Sequence, residues 1–414
     1  MKKALSILLA MGMTVGMVAG CGDTADNSSV ADNSAAASTE AGTDGTQAAA
    51  SAADIKVGVI YIGDENEGYT AAHMAGIDEM AANLGLSDDQ IIEKTTIPED
   101  ESCYDAAVDL ADQGCNIIFA TSFGHETYIL QAAQEYPDIQ FCHATGYQAA
   151  SSGLSNMHNY FDAIYEARYV SGVVAGMKLN EMIENGDITA DQAKIGYVGA
   201  FPYAEVISGF TSFYLGAKSV CESVTMEVQY TNSWADMTAE GEVANQLIAD
   251  NCVLISQHAD TTGAPSACET AGVPCVGYNV DMTSVAPDAA LTSPTNNWGV
   301  YYTYAVQCVL DGKAIDTDWC KGFSEDAVRI TPVNEAVAAE GTDAKVEEVE
   351  AKLASGELHV FDTSTWTVNG ETLDTYKKDG SDIEYISDGY FHESEFASAP
   401  AFDILIDGIT TIDN

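Results

Sequence analysis

Residues 230–281 read YTNSWADMTAEGEVANQLIADNCVLISQHADTTGAPSACETAGVPCVGYNVD. Within them, Val253 to Ser256 is a short apolar run that predicts a buried strand, Thr261 to Ala271 predicts a capped helix, and Cys275 to Tyr278 predicts the next strand. Strand, helix and strand in this order are the βαβ rhythm of a parallel sheet. Trp234, Asp236, His258, Asp260 and Asp281 all fall where a strand hands over to its loop. In open α/β sheets ligands bind outside those carboxyl ends, so the stretch predicts one wall of a binding crevice.

The same rhythm extends toward the N-terminus. KVGVIYIG, from Lys56, predicts a buried strand, DENEG a loop, and YTAAHMAGIDEMAANLG an amphipathic helix closed by a glycine. Strands are expected at Ile91 to Thr96, Asn116 to Ala120 and Ile139 to His143, with helices at Cys103 to Gln113 and His125 to Tyr136 between them. After Tyr160 the pattern restarts with a helix from Ala163 to Met177, a strand at Lys194 to Gly199, a helix through Gly216 and a strand at Thr225 to Tyr230. The fold class is therefore α/β, with two doubly wound parallel-sheet lobes in series. The first lobe is expected at 55–160, completed by part of 293–414, and the second at 161–292. Residues 293–414 form a hinge return and a C-terminal extension, with a helix from Trp298 to Leu310, another at Val346 to Leu353, and a strand and turn within Glu357 to Val368.

Fifteen Lys and Arg against 64 Asp and Glu give a formal charge of −49, which argues against a nucleic-acid partner, whose phosphates need clustered cations. Residues 1–21 carry Lys2 and Lys3, an apolar run to Gly20 and then Cys21, the pattern of a secretory signal. Val18-Ala19-Gly20-Cys21 resembles a bacterial lipobox, which makes Cys21 the lipidated residue and the membrane contact a tether on its outer face. Residues 22–54 are small, polar and acidic, a disordered linker by composition. Nine further cysteines, an odd number, lie mostly in apolar runs without C-x-x-C spacing and read as buried thiols; no metal site is expected.

No nucleophile elbow, P-loop, dinucleotide fingerprint or H-E-x-x-H motif is present, and no catalytic residue is assigned. Aromatic and hydrogen-bonding residues recur instead at successive strand ends. Asn66 and Tyr69 follow the first strand, and Ser122 and Phe123 follow a later one. Tyr203 and Glu205 open the second lobe, ahead of Trp234, Asp236, His258, Asp260 and Asp281. Ring faces and carboxylates together suit a flat heteroaromatic ligand. Core packing is the competing role for Phe123 and Tyr203, and helix capping that for Asp260. Between Lys218 and Lys313 there is no Lys or Arg, which favours a neutral ligand with N–H donors over a phosphate or carboxylate.

KVGVIYIG, FATSFGHE, FCHATGY, YEARYVSGVVAG, NSWADMTAEGEVANQLI, ISQHADTT and WGVYYTYAVQCVLDGK together resemble the basic membrane protein family, substrate-binding lipoproteins of ABC importers that include purine and purine nucleoside receptors. The resemblance implies the type I periplasmic-binding-protein fold, permease and ATPase partners, no cofactor, and capture of the ligand by hinge closure, with the hinge near Tyr160 and Leu291 to Asn297. The TSFG, NSW-x-D and QH-x-D combination is most similar to purine-base binders, so adenine or a hypoxanthine-like base is the expected ligand. A purine nucleoside, another flat heteroaromatic such as riboflavin, or a ligand-presenting sensor are the alternatives. On this resemblance Tyr69, Phe123 and Trp234 are stacking candidates, and Ser122, Glu205, Asp260 and Asp281 hydrogen-bond partners.

Overall fold

A computed structural model describes residues 52–412, so the signal segment, Cys21 and most of the acidic linker lie outside the described residues. The first lobe comprises β1 (Val57–Ile60), α1 (Gly68–Leu84), β2 (Ile91–Lys94), α2 (Glu101–Asp112), β3 (Ile117–Ala120), α3 (Glu126–Glu135), β4 (Gln140–Ala144), α4 (Ala149–Ser152) and β5 (Met157–Tyr160). The strands run parallel in the order β2-β1-β3-β4-β5. β1, β3, β4 and β5 are buried along their whole length, as expected for parallel strands covered by helices on both faces.

The chain crosses after Tyr160 into α5 (Ile164–Asn185), then β6 (Lys194–Gly199), α6 (Ala204–Val220), β7 (Thr225–Tyr230), α7 (Met237–Ala249), β8 (Leu254–Gln257), α8 (Gly263–Ala271) and β9 (Cys275–Val276). The opening stretch thus folds in the predicted order; both of its strands sit within a residue or two of their expected starts, and the helix begins later because Thr261 is spent on a loop bond to Glu240. α5 and α6 pack backbone to backbone. A Cβ at Gly172 would strike the carbonyl oxygen of Phe213, and one at Gly216 that of Tyr169, so small residues fix how closely these helices approach.

β10 (Pro294–Asn296) leads back to α9 (Trp298–Asp311), which packs on α1 through Trp298 stacked on His73 at 4.3 Å. β11 (Asp318–Trp319) then adds in parallel to β5, making the first sheet six-stranded. A last crossing reaches β12 (Val328–Ile330), antiparallel to β10. Chain segments near 161–163, 297 and 320–327 therefore join the lobes.

The C-terminal extension belongs to the second lobe. α10 (Thr342–Ala354), the β13 (Ile386–Ser387) and β14 (Tyr390–Phe391) hairpin, and β15 (Ile409–Ile412) follow, and β15 pairs in parallel with β7 at the sheet edge. Val346, Phe361, Trp366, Phe391 and Phe402 join one apolar core with Val173, Phe213 and Val228. The strand expected within Glu357 to Val368 does not form; that segment makes only the isolated bridges Asp362–Tyr390 and Val368–Glu371, because its apolar residues pack inward around Phe402 instead of pairing. Among the described residues no helix is long and apolar enough to cross a membrane.

Candidate functional site

The carboxyl ends of β1, β3, β6 and β8 face one another across the interlobe cleft, which encloses a cavity of about 710 Å³. Tyr69, Ser122 and Phe123 line it from the first lobe, and Glu205, Trp234, His258 and Asp260 from the second. Asn66, Asp236 and Asp281 are not among the lining residues. Each is exposed and serves its own loop: Asn66 bonds Asp64, Asp236 caps α7 by accepting from Thr238 and Ala239, and Asp281 caps the turn at Thr283. Capping consumes the acceptor that a ligand would need.

Aromatic rings bridge the cleft. Phe123 and Tyr203 come from opposite lobes with centroids 5.7 Å apart, Tyr203 stacks on Phe201 at 5.2 Å, and Phe201 meets Trp234 edge-on at 5.1 Å. Both Phe123 and Tyr203 are more than 40% exposed, so core packing is not what holds them. Tyr69 is oriented by its hydroxyl, which donates to the Thr121 carbonyl at 2.8 Å. Ser122 instead donates to Glu99 at 2.7 Å.

Beneath the rings runs a relay of opposite charges. Arg168, on α5 and fully buried, donates from Nη1 to the Tyr197 hydroxyl at 2.7 Å and lies 3.7 Å over the Tyr278 ring. The Tyr197 hydroxyl is 3.3 Å from His258 Nδ1, and His258 Nε2 lies 2.7 Å from Glu205 Oε1. Burial pushes the His258 imidazole below its usual pKa and Arg168 pushes the same way, while Glu205 opposes them. Burial would raise Glu205, but His258 and Arg168 hold it below its usual value. The consistent state is a neutral imidazole donating Nε2–H to an ionised Glu205, with Arg168 as the balancing cation.

Asp260 is the opposite case. Burial, and then Glu67, Glu240 and Glu205, push its carboxyl well above the usual range. Its surroundings therefore favour the protonated form, and its Oδ1 accepts from Asn279 Nδ2 at 2.8 Å. Asn279 Oδ1 accepts from Asn296 Nδ2 at 3.1 Å, and the other end of the Asn296 amide lies 2.7 Å from Asp162 in the first crossing. Reversing the Asn296 amide would set its oxygen against that of Asn279. Burial, with Glu166 and Glu205, pushes the Asp162 carboxyl well above its usual range, which favours the protonated form as donor to Asn296 Oδ1 and links the first crossing to the cleft.

Two lining groups lacked any strand-end signal. Glu67 caps α1 by accepting from Tyr69 and Thr70. Lys378, Tyr385 and Asp403 reach the cavity mouth from the C-terminal extension. Arg168 was legible as a lone cation inside the apolar helix 164–177, a residue type rarely buried without partners. The cation-free second lobe holds only for its loops: Arg168 and Lys378 bring positive charge from elsewhere in the chain. Nine cysteines among the described residues are free thiols, eight of them buried. Among the described residues no group of three or more His, Cys, Asp or Glu is arranged to hold a metal.

Two doubly wound lobes joined by three crossings, with a cleft lined by aromatic rings and carboxyls, define a solute-binding protein with the type I periplasmic-binding fold. The chain belongs to the PnrA-like family of ABC transporter substrate-binding proteins, whose family profile matches residues 55–363. It is 34% identical over 331 residues to a purine-binding protein of Brucella abortus, covering 77% of this chain and 89% of that one. It is 33% identical over 247 residues to a Haloferax volcanii protein assigned as an ABC transporter glucose-binding protein, covering 59% of each. Among solved structures, an ABC transporter solute-binding protein of Aeropyrum pernix superposes with a TM-score of 0.62 at 17% identity, over 74% of this chain and 93% of that one.

Proposed function

We propose that the protein captures a purine-type heteroaromatic molecule for an ABC importer, with the purine ring in the aromatic slot at Phe123, Tyr203 and Trp234. The observation that carries this reading is one cavity in which the rings of Phe123, Tyr203 and Trp234 stand beside two carboxyls, Glu205 and Asp260, whose surroundings push them in opposite directions. An ionised carboxylate accepts from a ring or amino N–H, and a protonated one donates to a neighbouring ring nitrogen. A purine edge presents both groups. Tyr69 and His258 position the slot and the carboxylate, and the purine-binding relative supports the same class.

Closure of the lobes around the ligand presents the closed form to permease and ATPase subunits. Lipidation of Cys21 tethers the protein to the outer face of the membrane; replacing Cys21 with Ser is expected to release it into the medium. The ligand class is tested by thermal unfolding against adenine, hypoxanthine, guanine, their nucleosides, glucose and riboflavin. A ligand at a hundred times its Kd adds about 2.7 kcal/mol of stability, a clear rise in midpoint. A shift with glucose or riboflavin and none with any purine sinks the reading. A nucleoside is favoured as a second reading by the polar groups at the cavity mouth.

A further inference from the structure

We propose that residues 394–401 are a tie between the lobes. Anchored in the second lobe and bonded to the first, this strap holds the cleft closed before a ligand arrives, and the bond from Ser398 to Asp318 is the part that breaks when the cleft opens. The segment lies beyond residue 363, where the family match ends, so the tie is carried by the C-terminal extension.

Both ends of the strap are fixed in the second lobe. Phe391 and Phe402 are buried in that lobe's apolar core, Phe402 stacking on Phe361 at 4.3 Å, and β15 then completes the lobe's sheet. The buried Glu393 carboxyl accepts from the backbone N–H groups of Ala401, at 3.0 Å, and Phe402, at 2.5 Å, which draws the two ends together. Nearer the tip, Phe396 meets Tyr385 edge-on at 5.4 Å, and Tyr385 in turn stacks on Phe391 at 5.3 Å. A loop closed at its base and pinned by its own side chains moves as one body with the lobe that carries it.

The far side of the strap reaches the other lobe. Ser398 is buried and donates its N–H to the Asp318 carboxyl at 2.7 Å; Asp318 stands on β11, which pairs with β5 at the edge of the first sheet. Ala397, Ala399 and Pro400 beside it line the cavity. The crossings at 161–163, 297 and 320–327 are covalent and bend without breaking when the lobes swing apart. The Ser398 bond joins the same two lobes and has no such slack, and a buried N–H that loses its acceptor is costly until water replaces it. Apparent affinity scales with the fraction of molecules in the binding-competent arrangement, so a bond that favours the closed form tightens the hold on whatever the cleft contains, while entry waits for the tie to open. The tie acts on any ligand; it stands apart from the purine reading and is tested without one.

Gly68 supplies the probe. Its N–H opens α1, where no earlier turn offers an acceptor, and donates across the cleft to the Asp260 carbonyl at 3.0 Å. Its hydrogen exchange in ligand-free protein therefore follows the fraction of open molecules. Amide-resolved exchange of the full chain is compared for wild type, Asp318→Asn, Asp318→Ala, Ser398→Pro and the double variant Asp318→Ala with Ser398→Pro. Asn at 318 still accepts from Ser398, Ala does not, and Pro at 398 removes the donor from the other side. Gly68 is expected to exchange as in wild type in Asp318→Asn, roughly three- to tenfold faster in Asp318→Ala and in Ser398→Pro, and no faster again in the double variant. The core amides of Phe119 and Ile255 should keep their wild-type rates throughout. Unchanged Gly68 exchange in both single variants overturns the tie, as does a wild-type Gly68 that exchanges as fast as a free amide. Faster exchange at Phe119 and Ile255 together with Gly68 overturns it by making the bond a support of folding, and a double variant whose effect is the product of the singles overturns it by making the two residues act apart.

Discussion

His258 donates Nε2–H to the Glu205 carboxylate, at 2.7 Å to Oε1 and 2.8 Å to Oε2, from a ring whose other nitrogen faces Tyr197. The tautomer is fixed from both sides, and the bond from His258 together with Arg168 draws the carboxyl that faces the cavity below its usual range. Glu205 therefore offers the ligand an acceptor only. Replacement by Gln turns one of its two oxygens into an N–H donor. Glu205→Gln is expected to weaken purine binding roughly ten- to a hundredfold. A carboxyl pulled down in the folded protein stays ionised as pH falls until below its usual 4.5, so wild-type affinity should be level from pH 8 to 6 and fall only in stronger acid. Calorimetry across that range decides; a loss centred near pH 6.5 would assign the site to a charged His258.

Much of this was legible in the sequence, and the boundary of what was not has a physical basis. Strand-end positions follow from apolar runs with a period, so Ser122, Phe123, Glu205, Trp234, His258 and Asp260 could be placed in the cleft before any coordinates. Asn66, Asp236 and Asp281 share the same residue types and the same kind of loop, yet each serves its own loop: Asn66 bonds the Asp64 carboxylate, and Asp236 and Asp281 accept from nearby backbone N–H groups. The difference between a cap and a cleft-lining side chain lies in local backbone geometry, which residue identity does not encode. Lys378 and Asp403 sit more than 90 residues past Asp281 in an irregular segment without hydrophobic periodicity. What brings them to the cleft is tertiary: the packing of Phe402 and the parallel addition of β15.

Gly68 and Asp260 link the two lobes directly. The Gly68 N–H donates to the Asp260 carbonyl at 3.0 Å, and a Cβ at Gly68 would lie 3.1 Å from that oxygen. Gly68→Ala therefore forces the lobes apart by a few tenths of an ångström at the point where they touch. Neither lobe's own core is disturbed. Thermal stability without ligand should be unchanged, while affinity drops about tenfold if the closed fraction falls to a tenth. Small-angle scattering with ligand bound should give a larger radius of gyration than wild type; an identical radius and an unchanged Kd would refute the contact's role in closure.

Asp162 and Asn296 come from different crossings and meet inside the hinge. Burial pushes the Asp162 carboxyl well above its usual range, toward the protonated form for which Asn is a close substitute: its N–H donates to Asn296 Oδ1 as the carboxyl O–H would. Asp162→Asn should change unfolding stability by less than about 1 kcal/mol, whereas Asp162→Ala, which strands the buried amide oxygen, should cost about 1–3 kcal/mol. Urea unfolding of both variants separates the cases. An ionised Asp162 would reverse the order, with the Asn variant losing a charge-assisted bond.

Glu393 ties the strap to the second lobe and titrates near neutrality. Burial pushes its carboxyl up to about 7, against the opposing pull of the bonds from Ser208, Phe402 and Ala401. A carboxyl raised on folding binds its proton more tightly in the native state than in the unfolded chain. Its contribution to stability is complete below the unfolded value of 4.5 and is lost as pH rises through 7. Across that interval the linkage is worth about 3 kcal/mol for one group. Glu240, pushed up to about 7, and Glu166, to about 6, titrate in the same window, so wild type should lose more than this between pH 5 and 8. Gln at 393 still offers Ala401 and Phe402 an acceptor but cannot titrate. The difference in unfolding free energy between pH 5 and pH 8 should therefore shrink by about 3 kcal/mol in Glu393→Gln. A difference equal to that of wild type would mean that Glu393 is ionised throughout and that the strap is held by a charged anchor.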